Sequence, residues 1–357
     1  MKRVALLLLA AAVACSPDKS KTADTSAAAG KPASGSVDLT GAGATFPAPI
    51  YSKWFADYAA KTGVKINYQA IGSGGGIRQL SEGTVDFGAS DSPMKDDEIA
   101  KAKGPVLHIP TVLGAVAVTY NIPGVTTQLK LTGDVLASIF AGKITKWNDP
   151  QIAALNAGVK LPATDILVVH RSDGSGTTFV FTDYLSTVSK TWAASPGRGK
   201  EVPWPVGLGG KGNDGVAGQV KQTPGGIGYI ELAYAKQNNL PFALIKNASG
   251  KFVAPSPAGM TAAAAGAAAA LPATTDYRIS IVNAAGADAY PISSFTWILV
   301  YQNQTDAAKS KKLTDFLRWA LTEGEGQVAA LDYAPLPDIM VKQLLTRLDS
   351  IKSGSTQ

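Results

Sequence analysis

What this chain has little of narrows its chemistry before any motif is considered. Its 357 residues include one cysteine, Cys15, and two histidines, His108 and His170. A lone cysteine forms no internal disulfide, so the folded body has to be held by packing. Structural and catalytic metal sites draw on clustered His, Cys or carboxylate side chains. No such cluster is read here, and neither a metal nor a cofactor is expected. Basic runs with interleaved aromatics are also missing. The lysines stand singly among acids, so the net charge of +6 and a pI near 9.1 describe a solvated surface. A nucleic-acid partner is not expected on that pattern. Catalytic signatures fail too. A nucleophile elbow needs Gly-x-Ser-x-Gly, and Asp173 stands in the first glycine position before Gly174-Ser175-Gly176. The glycine run from Gly72 to Arg78 lacks the lysine of a phosphate-binding P-loop. The chain is not expected to be an enzyme.

The amino terminus reads as an export signal. Met1-Lys2-Arg3 is basic, and Val4 to Val13 is apolar but too short to span a bilayer. Ala12-Val13-Ala14-Cys15 then resembles a bacterial lipoprotein signal, with Cys15 as the acylated first residue of the mature chain. Ala12 stands where Leu is usual, and the alternative is an ordinary secretory signal with a chance cysteine. Residues 16–37, rich in Ser, Ala, Lys, Thr and Gly, cannot bury enough surface to offset ordering entropy. They are expected to form a flexible tether. The expected location is the cell envelope, periplasmic or extracytoplasmic, with the protein anchored to the membrane by lipid.

From Asp38 the sequence repeats strand, glycine-rich turn, helix. Ile50, Trp54 and Tyr58 recur every four residues as the buried stripe of a helix that opens at Pro47 and stops at Gly63. Val64, Ile66 and Tyr68 alternate as a strand, as do Val85, Phe87 and Ala89. Val106–Ile109 and Ala115–Tyr120 are predicted as two separate strands, and Ile279–Val282 as a short one. The alanine-rich stretch Met260–Leu271 is predicted as a peripheral surface helix. This alternation points to an α/β fold with a largely parallel sheet, in which ligands meet the carboxyl ends of the strands.

One turn stands out chemically. The run Ile166 to Val169 leads into His170-Arg171-Ser172-Asp173-Gly174-Ser175-Gly176-Thr177, and a helix leads out. Unpaired N–H groups at a helix start, short hydroxyl donors, glycines and a guanidinium fork together suit a tetrahedral oxyanion. An ordinary strand-turn-helix with a serine cap accounts for this stretch alone equally well. Similar turns recur at Gly72-Ser73-Gly74-Gly75-Gly76 and from Gly207 to Gly215.

These turns, with Gly41-Ala42-Gly43-Ala44-Thr45-Phe46-Pro47-Ala48-Pro49 and Val85-Asp86-Phe87-Gly88-Ala89-Ser90-Asp91, occur in a fixed order. Over roughly Asp38 to Asp349 the chain resembles the phosphate-binding proteins of bacterial high-affinity phosphate ABC transporters. The resemblance implies a two-lobe, periplasmic-binding-protein-like (type II) α/β fold with a hinge and an interlobe ligand cleft. Residues 38–110 and 290–357 would form lobe I, and 111–289 lobe II. It implies inorganic phosphate as ligand, held by Thr45, Phe46, Ser73 and Asp91 from one lobe and by Arg171, Ser175, Gly176 and Thr177 from the other. Asp173 would pair with Arg171 and steady its guanidinium. Asp91 would accept a hydrogen bond from the proton that phosphate keeps and repel sulfate, which has none. Gly74 stands where a second serine is common. Lys211 and Asn213 are read as turn or packing residues, and both histidines as ordinary packing or surface residues. The implied partners are the transporter permease and, through it, the ATPase. The protein itself is expected to be a monomer.

Overall fold

The computed structural model describes residues 39–270 and 276–354, the side chains of 268–270 excepted. The expected signal peptide, acylated Cys15 and tether lie outside the described residues. In chain order the elements are β1 (Leu39–Gly43), α1 (Ala48–Thr62), β2 (Ile66–Ala70), α2 (Ser73–Glu82), β3 (Phe87–Ser90), α3 (Asp96–Ala100), β4 (Val106–Tyr120) and β5 (Lys130–Leu131). Then come α4 (Gly133–Phe140), α5 (Pro150–Leu155), β6 (Leu167–Arg171), α6 (Gly176–Val188), α7 (Lys190–Ala194), β7 (Leu208–Gly210), α8 (Gly212–Gln222), β8 (Gly226–Glu231) and α9 (Leu232–Gln237). The chain continues through β9 (Leu244–Lys246), β10 (Phe252–Val253), α10 (Pro257–Ala270), β11 (Ser293–Tyr301), β12 (Asn303–Gln304), α11 (Ala307–Ala320), α12 (Asp338–Leu348) and β13 (Lys352–Ser353).

A curled sheet in the order β2-β1-β3-β11-β4-β8-β6-β7 organises both lobes. Its outer pairs are parallel: β1 with β2 and β3, and β6 with β7 and β8. Its centre is antiparallel, because β11 runs against both β3 and β4, and β4 against β8. The sheet is therefore mixed, where a largely parallel one was expected. The outer strands follow one another through helical crossovers, which impose parallel pairing. The two long central strands are not joined to their neighbours in that way.

The two strands predicted at Val106–Ile109 and Ala115–Tyr120 are one continuous β4. Pro110 interrupts the pattern without ending the strand, since it lies where the β4–β11 register shifts. Proline is tolerated in sheets at such irregularities. From Val106 to Ala115 the strand pairs with β11, and from Val116 to Tyr120 with β8. A single buried strand thus carries the chain from one half of the sheet to the other.

Helix α1 buries its predicted stripe, Ile50, Trp54 and Tyr58, together with Tyr51 and Phe55, and Gly63 ends it at φ 76°. Burying each such side chain is worth about 1.5–3 kcal/mol. The alanine-rich helix α10 lies at the surface, as expected, with Ala258, Thr261, Ala265 and Gly266 exposed, but its other side is buried: Met260, Ala263 and Ala264 are covered, and the helix packs on β4. Its small side chains allow close approach to the sheet. Ile279–Val282 forms no strand, although Ile281 is buried. Among the described residues no helix is long and apolar enough to cross a membrane.

Candidate anion-binding site

The residues singled out in the sequence all fall where a strand gives way to a helix. Thr45 and Phe46 link β1 to α1, and Ser73 is the first residue of α2. Asp91 directly follows β3, and Arg171 ends β6. Ser175 caps α6, accepting from the Thr178 N–H at 3.0 Å, and Gly176 and Thr177 form the first turn of that helix. Each of these side chains is buried. The loop-to-helix geometry brings backbone N–H groups and positive helix ends toward one region. The N–H groups of Thr45 and Phe46 donate to no acceptor among the described residues.

Contacts between the two halves of the sheet, together with two within one half (Asp91 to Ser73 and Tyr333 to Phe46), hold these turns together. The Ser73 hydroxyl accepts from Gly176 N at 3.0 Å and from Asp91 N at 3.2 Å. Gly74 N donates to Gly174 O at 2.8 Å. Tyr234 donates its hydroxyl to the Thr45 carbonyl at 2.6 Å, and Tyr333 does the same to Phe46 at 2.6 Å. Lys200 pairs with Glu98 and Lys236 with Asp332. Gly176 is required by this closeness: a Cβ there would lie 2.4 Å from Asp91 Oδ2 and 2.5 Å from Ser73 Oγ.

Asn213, near the start of α8, adds a link absent from the predicted site. Its backbone N–H and Nδ2 donate to Thr45 Oγ1 at 3.3 and 2.8 Å, and Nδ2 also donates to Thr177 Oγ1 at 3.2 Å. Its Oδ1 accepts from Glu231 N at 3.0 Å. It is a packing residue, as read from the sequence, but what it packs against are the site hydroxyls. The glycine-rich motif containing it was visible in the sequence; its partners were not.

Hydrogen-bond bookkeeping then fixes the direction of each hydroxyl. A serine or threonine hydroxyl has two acceptor positions and one proton. Both acceptor positions of Thr45 are taken by Asn213, and those of Thr177 by Asn213 and by Arg171 Nη1 at 3.2 Å. Ser73 accepts from two backbone N–H groups. None of these hydroxyls donates to an acceptor among the described residues. Each is left able only to donate.

Charge in the site is sparse. Arg171 is buried and gripped by Asp173 through Nε at 2.8 Å and Nη2 at 2.5 Å. Asp173 also accepts from Gly212 N at 3.0 Å. Partial burial alone would raise the Asp173 carboxyl, but the hydrogen bond and charge of Arg171 hold it below the usual range. Asp91 behaves oppositely. Burial pushes it up to about 7, against the Thr296 hydrogen bond and the Arg171 charge. Thr296 donates to Asp91 Oδ1 at 2.8 Å, while Asp91 Oδ2 is buried and has no hydrogen-bond partner among the described residues. Thr296 lies within an apolar strand and carried no signal in the sequence. The histidines lie outside this arrangement: His170 stacks on Trp204 at 4.9 Å, and His108 accepts from Met94 N. The described residues hold no His, Cys, Asp and Glu cluster suited to a metal ion.

Two lobes on a shared sheet, facing each other with helix starts and oriented hydroxyls, define a two-lobed α/β binding protein of the periplasmic-binding-protein type. The PBP superfamily domain matches residues 22–323. A phosphate-binding protein PstS of Pasteurella multocida (strain Pm70) is 47% identical over 307 residues, covering 86% of this chain and 88% of that protein. A phosphate-binding protein PstS of Methanocaldococcus jannaschii is 42% identical over 331 residues, covering 87% and 85%. The chain belongs to this PstS family of phosphate-binding proteins. Among solved structures, a phosphate-binding protein from Stenotrophomonas maltophilia shares the fold with a TM-score of 0.70 at 21% identity, over 87% of this chain and 94% of that one. The phosphate-bound periplasmic protein PfluDING does so with a TM-score of 0.68 at 21% identity, over 87% and 93%.

Proposed function

We propose that the protein binds inorganic phosphate between its lobes and delivers it to the permease of an ABC transporter for import. In this reading Thr45, Ser73, Ser175 and Thr177 donate their hydroxyls, and the N–H groups at Thr45 and Phe46 and the Arg171 fork complete the donor set, while the Gly176 N–H is spent on orienting Ser73. Asp173 holds Arg171. Asp91 Oδ2 accepts a hydrogen bond from the ligand's O–H. Phosphate keeps a proton near neutral pH and sulfate does not, so a buried acceptor left facing the wrong partner excludes sulfate, by as much as roughly 10⁴–10⁵-fold. Residues 38–110 and 290–357 act as one lobe and 111–289 as the other, with closure about the strands that join them. The chain binds without turnover. It works outside the cytoplasm as a monomer, tethered by residues 16–37 to a lipid on Cys15, and reaches the ATPase only through the permease.

The observation that carries this reading is Asp91 Oδ2, buried without a partner beside hydroxyls that can only donate. Isothermal titration of phosphate-stripped, lipid-free protein tests it. Phosphate and arsenate, both protonated near neutral pH, are expected to bind, and sulfate is not. Equal affinity for sulfate and phosphate would refute the reading.

A further inference from the structure

β4 and β11 pair with one break in register. Thr296 faces Val112 and Trp297 faces Pro110, which leaves Thr111 as an extra residue on β4. Bulges of this kind re-aim side chains and cluster beside functional sites. Here the break sets up a buried chain of hydrogen bonds. The Thr111 hydroxyl donates to the Thr296 carbonyl at 3.2 Å. Its proton being used there, Tyr51 donates to Thr111 Oγ1 at 2.6 Å. Thr296 is thus held through its backbone, and its own hydroxyl donates to Asp91 Oδ1 at 2.8 Å. Tyr51, Thr111, Thr296 and Asp91 are all buried.

We infer that Thr296 is a positioning residue that gives the two oxygens of Asp91 different tasks: Oδ1 is tied to the strand, and Oδ2 alone accepts the hydrogen bond from the ligand's O–H. The inference rests on the phosphate reading above. Its consequence is electrostatic as well as geometric. A carboxylate buried this deeply tends to take up a proton, and the Thr296 hydrogen bond is the largest influence opposing that, ahead of Arg171 and Ser73. The other ionisable groups acting on this region are Tyr51, Tyr68, Tyr234 and Tyr333, each pushed upward by burial and therefore neutral. Arg171 and Ser73 remain as the smaller opposing influences. Without Thr296 the carboxyl would be protonated at higher pH. A protonated carboxyl can donate to any oxyanion, so sulfate would no longer be turned away.

The test is sulfate affinity as a function of pH, by titration calorimetry on phosphate-stripped protein between about pH 5 and 9. The wild type is expected to admit sulfate only toward acid pH. Thr296→Val should move that profile upward by about one to two pH units, the size of one hydrogen bond to a charged group. Sulfate binding near pH 9, about two units above the wild-type carboxyl, should then tighten at least about ten-fold, with less than about a two-fold change at pH 7. Thr296→Ser should follow the wild type, and Thr296→Ala carries the same expected shift if valine disturbs the strand. A Thr296→Val profile that superimposes on wild type, while Asp91→Asn admits sulfate at every pH, overturns the role of Thr296 and leaves that of Asp91 intact. Sulfate exclusion unchanged in Asp91→Asn overturns both.

Discussion

Replacing Asn213 by aspartate exchanges one buried nitrogen for an oxygen at almost constant shape, and it should invert the polarity of the hydroxyls around it. Asn213 Nδ2 donates to Thr45 Oγ1 at 2.8 Å and to Thr177 Oγ1 at 3.2 Å, which forces both protons to point elsewhere. With a carboxylate oxygen in that place, both hydroxyls gain an internal acceptor and turn their protons toward it. Each hydrogen bond to a charged ligand is worth about 1.5–3 kcal/mol. Losing both as donors amounts to about 3–6 kcal/mol, or roughly two to four orders of magnitude in Kd. Asn213→Ala separates orientation from added charge. It frees the two hydroxyls without offering a rival acceptor and removes three side-chain hydrogen bonds, one of which joins the lobes. Its expected loss is about 1–3 kcal/mol, or roughly 5- to 150-fold. Titration with phosphate measures both variants, and thermal unfolding of the ligand-free proteins checks that each is folded. Asn213→Ala at wild-type affinity, or Asn213→Asp within about threefold of Asn213→Ala, would refute the argument that hydroxyl direction governs binding.

Gly176→Ala should obstruct closure, because its Cβ would lie 2.4 Å from Asp91 Oδ2 and 2.5 Å from Ser73 Oγ. Overpacking of this kind costs about 1–3 kcal/mol, read as a reduced rise in melting temperature on adding phosphate; an undiminished rise counts against it. Asp91→Asn should stabilise the ligand-free protein at high pH. Burial, opposed by Thr296 and Arg171, raises the folded-state Asp91 carboxyl from 3.8 to about 7. Between those values the folded chain holds a proton that the unfolded chain has released, so stability falls as pH rises through the window. The cost of the ionised carboxylate is complete above about pH 8, where the variant should gain on the order of 4 kcal/mol, and the gain should vanish toward about pH 4. Chemical denaturation at both ends of the range measures it, and a gain independent of pH would sink the assignment.

Much of the site was legible in the sequence because its parts are local. A glycine, a hydroxyl and a helix start are neighbours along the chain, as at Gly72-Ser73 and Ser175-Gly176-Thr177. Helix periodicity gave the α1 stripe and its Gly63 stop for the same reason. The errors arose where distant segments decide. Pro110 split one strand into two on paper, yet β11 pairs along both sides of it. The alanine run has no amphipathic pattern to mark a buried face, but β4 covers it.

The sequence by itself determined which turns carry donors, and that Arg171 and Asp91 each stand in such a turn, because each turn's features are written within a few residues of one another. Only the tertiary structure decided which way the hydroxyls point and which carboxylate oxygen is free. Asn213 meets Thr45 across 168 positions, and Thr296 meets Asp91 across 205. A hydrogen bond depends on separation in space, and no pattern along the chain records it.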